Sequence, residues 1–302
     1  MRIAYVNTWS GFEYNDYPNQ CFFSRILREV DSNLQVDVGY TPGRNYDLVL
    51  SMYFPISESN SYADLSKVKE KKLCFTGESY DILSVTPNAD AYIGFDDASE
   101  MIGDFKYLRF PLYATYHLNY MDKHGCSSFE ELRAKFSREK TRKVSAVVSN
   151  PSNHLRNAVI QTLVMNGLCD SGGKVCNNVG DIEDKLDFTS RYLMGMAFEN
   201  IPKTSYITEK IYEVFAVGSI PFYYGASDIS KEFNHDSFIA LDTTSDATII
   251  NSLNNAVSIL SNKERIDMML SADPITGFRS EKYIRNGKEM LKTFIMDVME
   301  SK

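Results

Sequence analysis

Short runs of β-branched and aromatic residues alternate with amphipathic stretches along the whole of this 302-residue chain. In the first half these runs predict strands at residues 3–6, 36–40, 48–52, 73–76, 92–95 and 107–110. A helix is predicted between the first two strands, at residues 19–30, and Ser128 with Glu131 forms a capping signal for a helix that reaches residue 136. Strands that alternate with helices are typical of βαβ units around parallel sheets.

The same alternation returns after a charged stretch, SREKTRK, at residues 137–143. Strands are predicted at 144–149, 194–198, 220–224 and 238–241. A helix is predicted after the first of these strands, with Leu155, Val159, Ile160 and Leu163 on its apolar face, and a short helix is predicted from residue 227. Further helices are predicted at 182–191, 209–217, 247–260, 263–270 and 282–298. We therefore predict an α/β protein of two Rossmann-like domains with parallel sheets and a cleft between them. The predicted domains are residues 1–137 and 144–302, with the last helix packing back on the first domain.

Charge and cysteine content limit the function and the compartment. A net charge of −8 argues against a general nucleic-acid role, because phosphate neutralisation requires a basic surface. Five scattered cysteines without a CxxC pair predict free thiols in a reducing compartment: Cys21, Cys74, Cys126, Cys169 and Cys176. The first residues lack the pattern of a signal peptide, and no uncharged apolar run reaches 18 residues. We expect a cytoplasmic protein without a membrane span.

The densest chemical signal is Phe198-Glu199-Asn200, followed by Ser205-Tyr206-Ile207-Thr208-Glu209-Lys210. Here a predicted strand ends and a predicted helix begins. The helix dipole favours Glu209 in the first turn, whereas it opposes Lys210 by about 0.3–1 kcal/mol at an exposed site. A bound diphosphate would remove this conflict, because helix amides and the ammonium would face the same anion. A surface lysine that bends into solvent also fits the spacing and is the commoner case.

Two further residues follow predicted strands at positions where α/β folds place ligands. Arg156 comes early in the helix after the strand at 144–149, where its guanidinium would be able to bind phosphate oxygens in a bidentate manner. Glu78 follows the strand at 73–76 and would be able to act as a general base. A solvated arginine and a helix-capping glutamate remain the simpler alternatives at these two positions.

Taken together, several motifs resemble the α-1,3/α-1,4-fucosyltransferase family, especially its short bacterial members. They are LCFTGE, AYIGFDD, YLRFPLY, VSNPSNHLRNAVIQTL, DSGGKVCNNVG and the run from FEN through SYITEK and PFYYG to DSFI. The likeness covers about residues 72–242, and it is poor before about residue 70, which we expect to influence the choice of acceptor. The chain departs from the family at IPKTS, before Tyr206, and lacks the heptad repeats and basic tail of some bacterial members.

The resemblance implies a GT-B fold with an N-terminal acceptor domain and a C-terminal donor domain. It assigns phosphate binding to Arg156 and Lys210 and contact with the donor's sugar hydroxyls to Glu209. Asn200 and Tyr206 match further donor-site positions. The implied donor is GDP-β-L-fucose, and the implied acceptor is a glycan of a surface polysaccharide or glycolipid, with peripheral membrane contact left open.

The resemblance also assigns the general base to Glu78 and implies an inverting transfer to a glycan hydroxyl, such as the 3-OH of N-acetylglucosamine or glucose. No metal site and no required cofactor are expected, because the Asp-x-Asp pair of metal-dependent sugar transferases is missing and Asp96 and Asp97 are adjacent. A divalent metal would at most stimulate the reaction.

Three alternatives remain at this point. One is the same fold with another GDP-deoxysugar, and a second is a non-catalytic glycan-binding module. The third, a nucleotide-sugar oxidoreductase, is disfavoured because the segment after the first predicted strand has no G-x-G-x-x-G.

Overall fold

The computed structural model of the protein describes residues 1–53, 61–79, 88–97 and 106–301. Contacts among these residues divide the chain into two compact units. The first contains Met1–Pro111 together with the chain from Asn286 onward, and the second contains Leu112–Arg285. Each unit is built on one parallel β-sheet, as the alternating pattern predicts.

The first unit has a sheet in the order β2-β1-β3-β4-β5-β6. Its strands are β1 (Arg2–Val6), β2 (Gln35–Val38), β3 (Leu48–Ser51), β4 (Lys72–Phe75), β5 (Ala91–Gly94) and β6 (Lys106–Arg109). Helices α1 (Tyr17–Gln20) and α2 (Phe22–Arg28) replace the single helix expected at 19–30. The two helices are separate because Cys21 has an extended conformation, with φ −56° and ψ 141°.

The second unit has a sheet in the order β11-β10-β9-β7-β8. Its strands are β7 (Arg142–Ala146), β8 (Cys169–Ser171), β9 (Tyr192–Phe198), β10 (Ile220–Tyr224) and β11 (Ile239–Ala240). The helices that precede β10 in the chain are α3 (Leu112–His124), α4 (Phe129–Phe136), α5 (His154–Met165), α6 (Lys185–Thr189) and α7 (Glu209–Ala216). The remaining helices are α8 (Ile229–Glu232), α9 (Asp246–Ile259), α10 (Lys263–Ser271) and α11 (Arg279–Glu300).

Two of these elements escaped prediction. Strand β8 has only three residues, too few to show alternation, and it exists because Val144 and Cys169 pair across β7 and β8. Helix α3 has polar and aromatic residues on all sides and therefore no apolar stripe. The predicted cap of α4 is confirmed, since the Ser128 hydroxyl accepts a hydrogen bond from the Glu131 amide at 3.1 Å.

The boundary between the units differs from the one expected at residue 137. Helices α3 and α4 belong to the second unit because they pack on α7, where the Tyr120 hydroxyl donates to Glu213 at 2.5 Å. The charged stretch is likewise part of this unit. Lys140 is partly buried there and donates to the carbonyl oxygens of Ser190 and Val217 at 2.8 and 2.6 Å.

Helix α11 is shared between the two units, with its residues from Asn286 in the first. On these later turns Leu291, Ile295 and Val298 are fully buried. Lys106 of β6 also donates to the carbonyl oxygen of Asp297 at 2.7 Å. The last helix therefore contributes to the core of the first unit, where it was expected to pack.

The strand order of the second sheet determines where a ligand can enter. From β7 the chain moves to β8 on one side, whereas β9 lies on the other side. In open parallel sheets the crevice for ligands lies at the carboxyl ends of the strands, where the order reverses. In this sheet that position is the carboxyl end of β7 and β9.

Helix α7 lies close to β9 because Gly195 has no side chain. A Cβ at Gly195 would lie 2.7 and 3.0 Å from the two methyl carbons of Val214 and 3.3 Å from Thr189. Val214 is buried on α7, so it has little freedom to move away. This contact sets the distance between α7 and β9.

We expect Gly195→Ala to lower the free energy of unfolding by about 1–3 kcal/mol, the usual cost of an overpacked core. Urea titration monitored by circular dichroism would measure it. Removing the two methyl groups with Val214→Ala should relieve the overlap, so Gly195→Ala should cost clearly less in that background. Equal costs in both backgrounds would show that this contact does not limit the packing of α7.

Candidate functional site

The five residues predicted to bind a donor all lie in the second unit, around the crevice at the carboxyl end of β7 and β9. Arg156 is in the first turn of α5, and Glu209 and Lys210 begin α7. Asn200 follows the end of β9 by two residues, and Tyr206 is buried just before α7. The structure thus brings together residues that are up to 54 positions apart in the sequence.

Arg156 is 1% exposed and is the largest fully buried side chain among the described residues. Its guanidinium donates to the side-chain oxygen of Asn200, to the carbonyl oxygen of Asn150, and to that of Phe198 at 3.4 Å. Its Nε is buried without a hydrogen-bond partner in the described structure. Arg156 therefore ties the segment after β7 to the end of β9, a structural role that the sequence did not suggest.

Asn153 reinforces the same connection. Its side-chain oxygen caps α5 by accepting from the Arg156 amide at 2.9 Å, and its side-chain nitrogen donates to the carbonyl oxygen of Asn200 at 3.0 Å. Burial lowers the pKa of Arg156, an effect that Glu199 opposes, yet the guanidinium stays charged at any pH in use. The N-terminus of α5 is therefore a fixed, cationic corner of the crevice.

The side chain of Glu199 is completely buried. Its Oε1 accepts from the amide of Thr208 at 2.8 Å and its Oε2 accepts from the ammonium of Lys210 at 3.0 Å. The Thr208 hydroxyl lies within 3.0 Å of both oxygens. An amide and an ammonium are donors only, so the ionised carboxylate is the form that fits. Burial raises the pKa of Glu199, and Lys210 and the Thr208 donors oppose that rise.

Lys210 is accordingly not a lysine that bends into solvent, the commoner alternative at its position. Its ammonium lies 2.8 Å from the Thr208 hydroxyl and 3.6 Å from Oε1 of Glu209, and the side chain is 20% exposed. Burial would lower the pKa of Lys210, but Glu199 and Glu209 outweigh burial and raise it. The ammonium therefore stays charged, and the side chain stays partly exposed.

Glu209 is 16% exposed and belongs to a chain of charges that continues along α7. Burial raises the pKa of Glu209, but Lys210 and Lys185 more than compensate, so the pKa lies below its usual range. One turn further, the buried Glu213 pairs with Lys185 and accepts from Tyr120. Positive and negative groups thus alternate from Glu199 to Glu213.

Thr208 precedes α7 but its side chain does not cap the helix. The hydroxyl instead contacts Glu199 and Lys210. Helix N-terminal amides, together with a nearby cation, favour anions such as phosphate. The start of α7 therefore has the chemistry of an anion site.

The loop before Tyr206 is held by an acid that the sequence did not single out. Ser205 is buried in the left-handed region, with φ +61°, and its amide and hydroxyl both donate to Asp228 at 2.8 Å. This pair of bonds compensates for the strain of a serine in that conformation. Asp228 thereby fixes the backbone that leads into Tyr206, in the IPKTS segment where the chain departs from the family.

Glu78, the predicted base, lies in the first unit. It is exposed in a bend after β4, and its amide donates to the Thr76 hydroxyl at 3.2 Å. In the same unit, Asp97 lies 3.8 Å from the guanidinium of Arg109, and the carbonyl oxygen of Asp96 accepts from the Tyr107 hydroxyl at 2.8 Å. These contacts fit the structural role expected for the two aspartates.

Sequence patterns missed Glu199, Asp228 and the Lys185–Glu213 pair as members of this site. Glu199 had one signal, an acid directly after a continuous apolar strand, which requires a partner if it is buried. The others had none, because their partners lie on different elements.

In the described part of the chain, no three His, Cys, Asp or Glu side chains are grouped as a metal site would need. Its helices include none that is long and apolar enough to cross a membrane.

Two units with parallel sheets, and cationic side chains at the switch point of the second, define the GT-B type of fold. Residues 137–265 match the model of glycosyltransferase family 10 (fucosyltransferase), C-terminal domain. These residues are similar to that domain, and the predicted resemblance to the fucosyltransferase family is confirmed.

Individual proteins agree with this assignment. Alpha-(1,3)-fucosyltransferase FucT of Helicobacter pylori is 28% identical over 270 residues, which are 79% of this chain and 53% of that protein. The chain thus spans about half the length of this relative. Crystal structures of alpha1,3-fucosyltransferase with GDP and with GDP-fucose share the fold, with TM-scores of 0.74 and 0.73. Both are 23% identical, and each match covers 100% of this chain and 91% of the other.

Proposed function

We propose that the protein transfers L-fucose from GDP-β-L-fucose to a hydroxyl group of a glycan, with inversion at the anomeric carbon. One arrangement supports this most: the cations Arg156 and Lys210 lie at the starts of two helices and both contact residues 198–200. A diphosphate is the leaving group that needs such a pair. The matching family and the relative bound to GDP-fucose favour fucose over another GDP-deoxysugar.

In the proposed reaction, a hydroxyl oxygen of the acceptor attacks the anomeric carbon while the bond from that carbon to the β-phosphate oxygen breaks. The electron pair leaves with GDP, and the hydroxyl proton passes to Glu78. Negative charge then grows on the diphosphate, where Lys210 and the α7 amides stabilise it. Glu209 binds hydroxyl groups of the donor sugar, and Asn200 and Tyr206 complete the donor site.

The proposed acceptor is a surface glycan, with transfer to the 3-OH of N-acetylglucosamine or glucose. The default acceptor is a β-galactosyl-N-acetylglucosamine unit, in which N-acetylglucosamine receives the fucose. No metal is required, because two cationic side chains are available to balance the diphosphate. All five cysteines are free thiols, which supports a reducing compartment, and we place the reaction in the cytoplasm.

The direct test incubates the full chain with a panel of GDP-sugars and glycan acceptors, and assigns the product linkage by NMR. We expect fucose transfer, from GDP-fucose in preference to other GDP-sugars, that survives excess EDTA. Metal-reversible loss of activity in EDTA would contradict the metal-independent reaction. Glycan binding without transfer, unaffected by GDP, would instead favour a binding module.

Donor binding is tested separately by Lys210→Met, which keeps the length of the side chain and removes its charge. We expect GDP affinity to fall by about 1.5–3 kcal/mol, because a charge-assisted contact is lost. Isothermal titration calorimetry measures the change. Lys263→Met is the matched control, since Lys263 is 89% exposed on α10 and pairs only with Asp267 among the described residues. An unchanged affinity in folded Lys210→Met would remove Lys210 from the donor site.

The role of the base is tested by Glu78→Gln, which keeps the shape of the side chain but cannot accept the proton. We expect kcat to fall by about 10²–10⁴-fold, the usual contribution of a positioned base, with little change in GDP affinity. Glu70→Gln is the matched control, because Glu70 is a glutamate of the same unit whose side chain accepts from the Tyr40 hydroxyl at 2.9 Å. Turnover near the wild-type rate in Glu78→Gln would exclude Glu78 and make Asp96 or Asp97 the next candidate.

A further inference from the structure

Three separate sequence blocks of the second unit meet at the carboxylate of Glu199. The block FEN supplies Glu199 itself at the end of β9, and the block YITEK supplies Thr208 and Lys210, which donate to it. The block PFYYG ends in Gly225, where a Cβ would lie 2.6 Å from Cγ of Glu199 and 2.4 Å from the hydroxyl oxygen of Tyr223. Gly225 thus leaves room for the Glu199 side chain, and the three sequence blocks pack together around its carboxylate.

Glu199 itself does not reach a ligand. Its side chain is 0% exposed, and both carboxylate oxygens accept hydrogen bonds from Thr208 or Lys210. A carboxylate in this position acts only through the groups that it holds. Those groups are the first turn of α7 and the ammonium of Lys210.

The ammonium of Lys210 is held from three sides. Glu199, Thr208 and Glu209 surround it at distances of 3.0, 2.8 and 3.6 Å. A lysine side chain is flexible and has three rotatable donors, so contacts on one side decide where the remaining donor points. With these contacts in place, the ammonium is fixed before any ligand arrives.

We infer that Glu199 is a positioning residue that orients the ammonium of Lys210 toward the diphosphate leaving group. The inference rests on the proposed function, because only a reaction that builds negative charge on the leaving group needs the orientation. A preorganised cation stabilises that charge without reorganising during the reaction. A neighbouring carboxylate also reduces the attraction of Lys210 for bound GDP, so Glu199 serves the rate more than the affinity.

The test is Glu199→Gln, measured as kcat and as GDP dissociation constant. The glutamine oxygen can still accept from the Thr208 amide, whereas the ammonium loses its charged partner. We expect kcat to fall at least tenfold and the GDP dissociation constant to stay within threefold of wild type. Glu232→Gln is the matched control, since Glu232 is a second buried glutamate of the same unit, held by Tyr113 and not bound to Lys210.

A pH profile separates positioning from loss of stability. Without Glu199, burial of the Lys210 ammonium is less well compensated, so its pKa falls. The alkaline limb of the kcat profile should therefore move to lower pH in Glu199→Gln and stay in place in Glu232→Gln. The other charged groups that face the pair are the same in both variants: Arg156, Lys185, Glu209 and Glu213.

A double-mutant cycle keeps the inference testable if Glu199→Gln fails to fold. The double variant Glu199→Gln/Lys210→Met removes both charges, which avoids an unpaired buried ion. If Glu199 acts through Lys210, this variant turns over at the rate of Lys210→Met alone. A further drop of tenfold, or wild-type kcat and pH profile in folded Glu199→Gln, would overturn the inference. The proposed function fails separately, if the wild-type chain neither binds GDP nor transfers a sugar.

Discussion

The buried carboxylate of Glu199 joins the end of β9 to the beginning of α7, and the rest of the site depends on that connection. An ionised carboxylate without solvent requires donors on both oxygens, and the Thr208 amide, the Thr208 hydroxyl and the Lys210 ammonium supply them. The requirement fixes the first turn of α7 against the sheet. On the other side of the same short segment, the Asn200 side chain accepts from buried Arg156. Residues 199 and 200 therefore place one cation on each helix.

Burying charged side chains in this way costs desolvation free energy, so the ion pairs are not explained by stability alone. Replacing a buried ion pair by apolar residues is often neutral or stabilising, so Lys210–Glu199 and Lys185–Glu213 are weak sources of stability. Their geometry is well defined, however, because each charge has a partner in a fixed direction. The stability of the second unit comes instead from the apolar residues of β7, β9 and β10 and of the helices that cover them. The ion pairs determine where the charges of the crevice lie.

Much of the fold was predictable, because parallel strands buried on both faces produce continuous apolar runs that are visible in the sequence. Strands β1, β3, β4 and β10 were predicted to within one residue at each end. Prediction failed for elements that are stabilised by contacts with other elements rather than by their own sequence pattern. Strand β8 has three residues and forms by pairing with β7. Helix α3 has no apolar stripe to reveal it in the sequence, because it packs on α7 through polar and aromatic side chains. The unit boundary was misplaced for the same reason, since α3 and α4 attach to α7 rather than to the strands before them.

The sequence alone determined the fold class, the motif order and the candidates Arg156 and Lys210, because residue type and local spacing carry that information. It left open whether each cation is buried or solvated, since that depends on partners 11 and 44 positions away, Glu199 for Lys210 and Asn200 for Arg156. Only the tertiary structure decided it. Burial removes water as a competing partner, so each charge takes the partner that the packing of β9 against α5 and α7 brings within reach. Asp228 and Glu213 became part of the site in the same way, through contacts that no local pattern records.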